Sequence, residues 1–136
     1  MNIAVRYYSR SGNTKAVAEA IAKAVGVDAI SVEKAEAQIN EPVDVLFIGG
    51  ALYAYGLDKN MKEYLKTLKK DNVKKAVVFS TSWLSKHSVD LIKKGLSDNG
   101  ITVETEYFYV KNKPSEAQKK EAAVFAKKFV LGGFKK

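Results

Sequence analysis

The sequence predicts an α/β domain: a three-layer, doubly wound, five-stranded parallel sheet. Three observations lead there. Short apolar runs alternate with longer amphipathic ones five times along the 136 residues. Repeated β-α units of this kind form parallel sheets whose right-handed crossovers lay helices on both faces. Two of the short runs, Val45-Leu46-Phe47-Ile48 and Ala76-Val77-Val78-Phe79, are apolar at every position, as strands covered on both faces are. The length suits one domain with short connections, and there is no internal repeat or linker.

The elements follow in order. Residues 3–8 read as the first strand. Residues 14–25 form an Ala-rich helix with apolar positions at 17, 18, 21, 22 and 25, the spacing of one helical face. Residues 27–32 alternate as a second strand, and 34–39 offer a turn or two of helix before Pro42. The third strand spans 43–49. The helix over 59–68 sets Met61, Leu65 and Leu68 on one face with Tyr64 beside them. The fourth strand is centred on 76–79. The helix over 88–96 carries Val89, Ile92 and Leu96, and Asn99-Gly100 ends it where a positive φ is tolerated. Residues 102–110 read as a longer, more polar strand at an edge. Ser115 is the N-cap of a last helix whose buried stripe is Ala122, Phe125, Ala126 and Phe129, with Gly132-Gly133 as its stop. Periodicity leaves two strand orders open, 2-1-3-4-5 and a truncated dinucleotide-type order. Both place ligands at the carboxyl ends of the strands, beside the first. The loops after strands one, three and four are therefore the ones to search.

Composition narrows the chemistry. Hydrophobic residues make up 46% and charged residues 28%, an ordinary globular balance. No apolar run approaches the ~20 residues of a membrane helix. Arg6 and Arg10 interrupt what would be a leader's apolar segment, so a cytoplasmic protein is expected. Cysteine is absent, which excludes disulfides, thiolate catalysis, iron–sulfur clusters and Cys-type zinc sites. The single histidine, His87, disfavours a His-rich metal site and a Ser-His-Asp hydrolase. No residue reads as a general acid or base, and no catalytic group is assigned.

The formal charge is +8. Residues 1–68 carry 8 basic and 8 acidic side chains, whereas 69–136 carry 15 basic and 7 acidic. The excess therefore lies wholly in the second half, mostly as lysine pairs such as Lys69-Lys70, Lys93-Lys94 and Lys127-Lys128. Solvated helix surface is the plain reading of such pairs. The sharper one is a positive face that attracts an acidic partner. Nucleic acid is not expected, because no RNP, helix-turn-helix or aromatic-interleaved basic motif accompanies the lysines.

The first of the three loops is Ser9-Arg10-Ser11-Gly12-Asn13-Thr14. It leads from a strand into a helix N-terminus, where unpaired N–H groups and the helix dipole favour an anion. Ser9, Ser11 and Thr14 add hydroxyls, Gly12 permits positive φ, and Asn13 is the expected helix cap. No Gly-Lys-Ser/Thr follows, so this is not a nucleoside-triphosphate P-loop. The second loop contains Ala51, Leu52, Tyr53, Ala54, Tyr55 and Gly56. Two tyrosines among small residues suit stacking on a planar ligand. The third, Ser80-Thr81-Ser82-Trp83, runs from small hydroxyl residues into the only tryptophan, again fit for a flat ligand with polar edges.

The run Ser9-x-Ser11-Gly12-Asn13-Thr14 after an N-terminal strand resembles the phosphate loop of the flavodoxins, Thr/Ser-x-Thr/Ser-Gly-x-Thr. The likeness covers nearly the whole chain, including the Ile-Gly-Gly exit of strand three and the last helix. The length matches the short-chain members. The resemblance implies a flavodoxin-like fold with strand order 2-1-3-4-5 and FMN as cofactor. Residues 9–14 would hold the 5′-phosphate, and residues 51–56 and 80–83 would flank the isoalloxazine. It also implies redox partner proteins, and the basic second half suits acidic ones.

The chain departs from the family in its basic charge and in a third loop without glycine or acid. With few acids and Lys86 near the ring, a less negative reduction potential is expected than in acidic flavodoxins. Three readings remain at this point: a one-electron carrier, an FMN-dependent oxidoreductase acting on quinones or a porphyrinogen, and a flavin-free binding module with a basic surface.

Overall fold

The computed structural model describes residues 1–53, 56–82 and 87–131, with backbone alone at 52, 53 and 131. Strand β1 (Ile3–Tyr7) leads into α1 (Asn13–Val25) and then β2 (Ala29–Ser31). A single 3₁₀ turn (Ala35–Ala37) precedes β3 (Val45–Gly50). The short β4 (Leu52–Tyr53) and β5 (Gly56–Leu57) come next, followed by α2 (Lys59–Thr67). The chain continues through β6 (Ala76–Thr81), α3 (His87–Asp98), β7 (Val103–Val110) and α4 (Glu116–Leu131).

Five strands form one parallel sheet in the order β2-β1-β3-β6-β7. Counting only its own members, this is the 2-1-3-4-5 order. The dinucleotide-type alternative is excluded, because β1 lies between β2 and β3. The continuously apolar strands β3 and β6 occupy the interior, where every one of their residues is buried. The edge strand β7 is exposed at its centre, Thr105-Glu106-Tyr107, and carries two glutamates, as edge strands often carry charge.

Strand alternation divides the core into two layers. Val5, Val45, Phe47, Val77 and Phe79 face α1 and α4. Ala4, Leu46, Ile48, Ala76 and Val78 face α2 and α3. Helix α1 buries Val17, Ala18, Ile21 and Ala22, the stripe its spacing predicts. In α4 the side chains of Phe125 and Phe129 meet edge to face at 5.1 Å. Gly95 breaks the run of good helix formers in α3, and packing explains it. A Cβ there would lie 2.9 Å from Leu65 Cδ1 on α2, so glycine lets the two helices approach.

Two polar side chains enter the α2/α3 layer together. Arg6 is buried and donates from Nε to the Ala37 carbonyl at 2.8 Å and from Nη1 to the Val5 carbonyl at 3.1 Å. The Tyr64 hydroxyl donates to the same Ala37 carbonyl at 2.5 Å. Burial pushes that hydroxyl above its ordinary pKa, against the opposing pull of Arg6. The pair pins the 3₁₀ turn beneath β1.

Several boundaries differ from expectation. The second strand is shorter than 27–32, and the segment 34–39 makes one 3₁₀ turn rather than α-helix. The antiparallel β4–β5 pairing, with Leu52 opposite Leu57 and Tyr53 opposite Gly56, was not anticipated. Gly100 does take a positive φ of 77° after α3. Ser115 does cap α4: its Oγ accepts from the Gln118 N–H at 3.1 Å, while Gln118 Oε1 accepts from the Ser115 N–H at 2.9 Å. This is a reciprocal capping box. The expected stop at Gly132-Gly133 lies outside the described residues. Among those described, no helix is long and apolar enough to cross a membrane.

Candidate functional site

The sheet's register brings the three loops to one edge. Tyr7 pairs with Gly49, Gly49 with Phe79, and Gly50 with Ser80. Strands β1, β3 and β6 therefore end level with one another, and their exits share the carboxyl edge.

At the first exit, the Tyr8 N–H still bonds the Gly49 carbonyl at 3.2 Å. The chain then bends back on itself. Ser9 Oγ accepts from the Gly12 N–H at 2.9 Å, and Ser11 Oγ accepts from the Asn13 N–H at 3.4 Å. Gly12 has φ 94° and is the cap residue of α1, its carbonyl accepting from the Ala16 N–H at 3.0 Å. This corrects the expectation for Asn13, which is the first helical residue and makes no side-chain cap. A left-handed cap suits a residue without a Cβ, and the two serines supply the local acceptors instead. The outer side of the bend is open, since a Cβ on Gly12 would meet nothing within 4 Å. The first turn of α1 contains no acid, so nothing within it opposes an anion at the helix start.

Thr14 sits one step deeper. It is buried, and its Oγ1 lies 2.7 Å from Thr81 Oγ1. Ser80 and Ser82 are buried too. Ser80 Oγ donates to the Gly50 carbonyl at 2.6 Å and lies 2.5 Å from Ser88 Oγ at the start of α3. The Ser82 N–H bonds the Val110 carbonyl at 3.2 Å, and its carbonyl accepts from the Tyr109 hydroxyl. These hydroxyls lace the ends of β3, β6, α1 and α3 together beneath the loops.

An acid tied to the first loop is Asp58, the N-cap of α2. Its Oδ1 accepts from the Asn60 N–H at 2.7 Å, and its Oδ2 pairs with Arg10 Nη2 at 2.6 Å. Burial alone would raise this carboxyl. The hydrogen bond from Arg10 and those from Asn60 outweigh burial and hold it below its ordinary value of 3.8. The pair ties the first loop to the end of the second. Asp58 is the residue that sequence reasoning underused: its position before Lys59-Asn60 signals a cap, but nothing local points to Arg10.

Of the predicted site residues, Ser9, Arg10, Ser11, Gly12 and Asn13 form the outer bend. Thr14, Ser80, Thr81 and Ser82 form the buried layer under it. Ala51 and Gly56 are half-buried at the second loop. Leu52 and Tyr53 are placed by their backbone in β4. Ala54, Tyr55 and Trp83, with Lys86, lie outside the described residues, as do the side chains of Leu52 and Tyr53.

The family model described as a flavodoxin domain matches residues 4–127. This chain belongs to the flavodoxin-domain family. Solved structures agree in fold. A flavodoxin from the domain Archaea superimposes with a TM-score of 0.80 at 25% identity, over 93% of this chain and 94% of that one. Oxidised flavodoxin 1 from Bacillus cereus gives 0.78 at 23% identity, over 96% and 98%. The Flv1 flavodiiron core from Synechocystis sp. PCC6803 gives 0.79 at 22% identity, over 97% of this chain but 36% of that larger one. A sequence search among curated proteins finds no match. In a flavodoxin domain of this topology the place to expect a ligand is the carboxyl edge beside β1.

Proposed function

We propose that this flavodoxin domain binds FMN at the carboxyl edge of its sheet and serves as a one-electron carrier. The observation that carries the reading is the bend at residues 9–13, with Gly12 at φ 94° capping α1 and no acid in the helix's first turn. Family membership and the likeness to flavodoxins support the choice of ligand. When bound, FMN supplies the electron-transfer chemistry, and the protein sets its environment.

The chain's own part is binding and positioning. The serine hydroxyls and the first-turn amides of α1 hold the phosphate, as charge-assisted donors do. Gly12 lets the backbone approach closely. Asp58 fixes Arg10 across the loop gap, which keeps the bend in place and cancels one charge of each sign. The segments 51–56 and 80–83 flank the ring. The buried hydroxyls of Thr14, Ser80 and Thr81 hold the loop bases rigid rather than reaching outward.

The experiment compares FMN with riboflavin, which lacks the phosphate. Purified protein titrated with FMN is expected to turn yellow and quench flavin fluorescence. Ser11→Ala is expected to weaken FMN about ten- to a hundredfold, the worth of one charge-assisted hydrogen bond, and riboflavin by far less. Equal losses for both ligands, or a protein that takes up no flavin, would refute the assignment.

A further inference from the structure

Helices α2 and α3 leave a groove of about 370 Å³ between them, on the side of the sheet opposite α1 and α4. Its floor is apolar, made by Leu57, Leu65 and Leu91. Gly95 keeps that floor open, since a side chain there would press on Leu65. Its rim is basic: Lys62 and Lys66 lie a turn apart on α2, and Lys94 faces them from α3, all exposed. Among the described lining residues the one acid is Asp98, and Lys94 occupies it at 3.1 Å. Lys62 and Lys66 form no ion pair among the described residues. The groove starts at Gly56 and Leu57, the outgoing strand of the loop that borders the proposed flavin site.

We propose that this groove is the docking site for an acidic segment of a redox partner protein. The segment seats an aliphatic side chain over Leu65 and Leu91 and sets its carboxylates against Lys62, Lys66 and Lys94. Charge complementarity chooses the occupant. Lysines around a concave apolar floor match an amphipathic acidic segment, whereas a phosphate backbone satisfies the lysines and leaves the floor empty. Steering by opposite charge with a small apolar anchor also fits an encounter that must form and break quickly. The redox character of the partner rests on the proposed function; the groove and its charge do not.

The probe is a synthetic peptide, Glu-Glu-Leu-Glu-Glu-Leu-Glu-Glu, added to the ¹⁵N-labelled protein of residues 1–136 and followed by amide shifts. The expected shifts concentrate on residues 57, 62–66 and 91–99. K62E/K66E is expected to weaken the peptide about tenfold or more, and replacing the peptide leucines with serine to weaken it comparably. Shifts gathered instead on Lys119, Lys120 and Lys127 would overturn the proposal, as would unchanged affinity in K62E/K66E. Displacement of the peptide by phosphatidylglycerol vesicles or a DNA oligonucleotide, lost in the same variant, would reassign the groove and overturn it too. FMN uptake is read separately by absorbance and is expected to be unaltered in K62E/K66E. Peptide binding without flavin uptake would sink the proposed function and leave the groove standing. Flavin uptake with no shifts in the groove would do the reverse.

Discussion

Asp58 has two tasks at the site, and two substitutions separate them. As N-cap of α2 it satisfies the Asn60 N–H, and as a carboxylate it pairs with Arg10. Asp58→Ala removes both and is expected to cost about 1–2 kcal/mol, mostly from the lost cap. Asp58→Asn retains the cap and loses the pair. Arg10 is 50% exposed although Asp58 is only 7% exposed, so solvent screening holds that cost below about 1 kcal/mol. The pH dependence has a definite sign. The carboxyl is held below 3.8 in the folded chain, so its ionised form stabilises the fold above that pH. The contribution fades as pH falls through the lower folded value. Urea midpoints should therefore show wild type above Asp58→Asn at pH 7, with the gap narrowing as pH falls below 3.8. A gap that stays constant across that range would mean the pair contributes nothing. The cap was legible from Asp58 standing before a helical run; its partner was not, because the two residues are 48 positions apart and only the fold brings them together.

Elements were legible in proportion to how many faces they bury. The strands β3 and β6 announced themselves because both faces are covered, so the runs Val45–Ile48 and Ala76–Phe79 are apolar at every position. Helix α1 was equally plain from its 3.6-residue stripe. The β4–β5 pairing was not, since two-residue strands have no period to read. The start of α1 was half legible: Gly12 and the serines marked the bend, but the cap went to Gly12 instead of Asn13. The likeness to a phosphate loop also assigned Thr14 outward, toward a ligand. In the structure its hydroxyl turns inward to Thr81, joining the start of α1 to the end of β6. Both residues are buried, so Thr14→Val or Thr81→Val alone strands a hydroxyl and is expected to cost about 1–3 kcal/mol. The double variant replaces both hydroxyls with apolar groups of the same shape and is expected to cost less than the two singles summed. Denaturant titrations of the four proteins give the coupling directly. Additive losses would mean that the two hydroxyls do not depend on each other.

At the scale of the molecule, charge is unevenly spread along this chain. The net charge of +8 arises wholly in the second half. Four acids of that half, Asp98, Glu104, Glu106 and Glu116, are each paired with a lysine, yet lysines remain in excess. The candidate site adds little negative charge of its own, because Asp58 is spent on Arg10. A flavin held there gains electrons in a field that is neutral to positive. One unit charge at about 10 Å and an effective dielectric near 20 contributes roughly 1–2 kcal/mol before screening. That corresponds to several tens of millivolts in a one-electron couple. The bound FMN is therefore expected to have a less negative reduction potential than it has in a flavodoxin with an acidic surface. Asp58→Asn should raise it further by uncovering the charge of Arg10. Because the Debye length shrinks from about 30 Å at 0.01 M salt to about 10 Å at 0.1 M, the part due to the distant lysines should diminish over that range. The part due to Arg10, which lies within the candidate site at short range, should diminish less. Redox titration of the holoprotein and of Asp58→Asn at both salt concentrations separates the two. A potential as low as that of acidic flavodoxins, indifferent to salt and to Asp58, would show that the flavin's surroundings are set by the loop backbone and not by this chain's unusual charge.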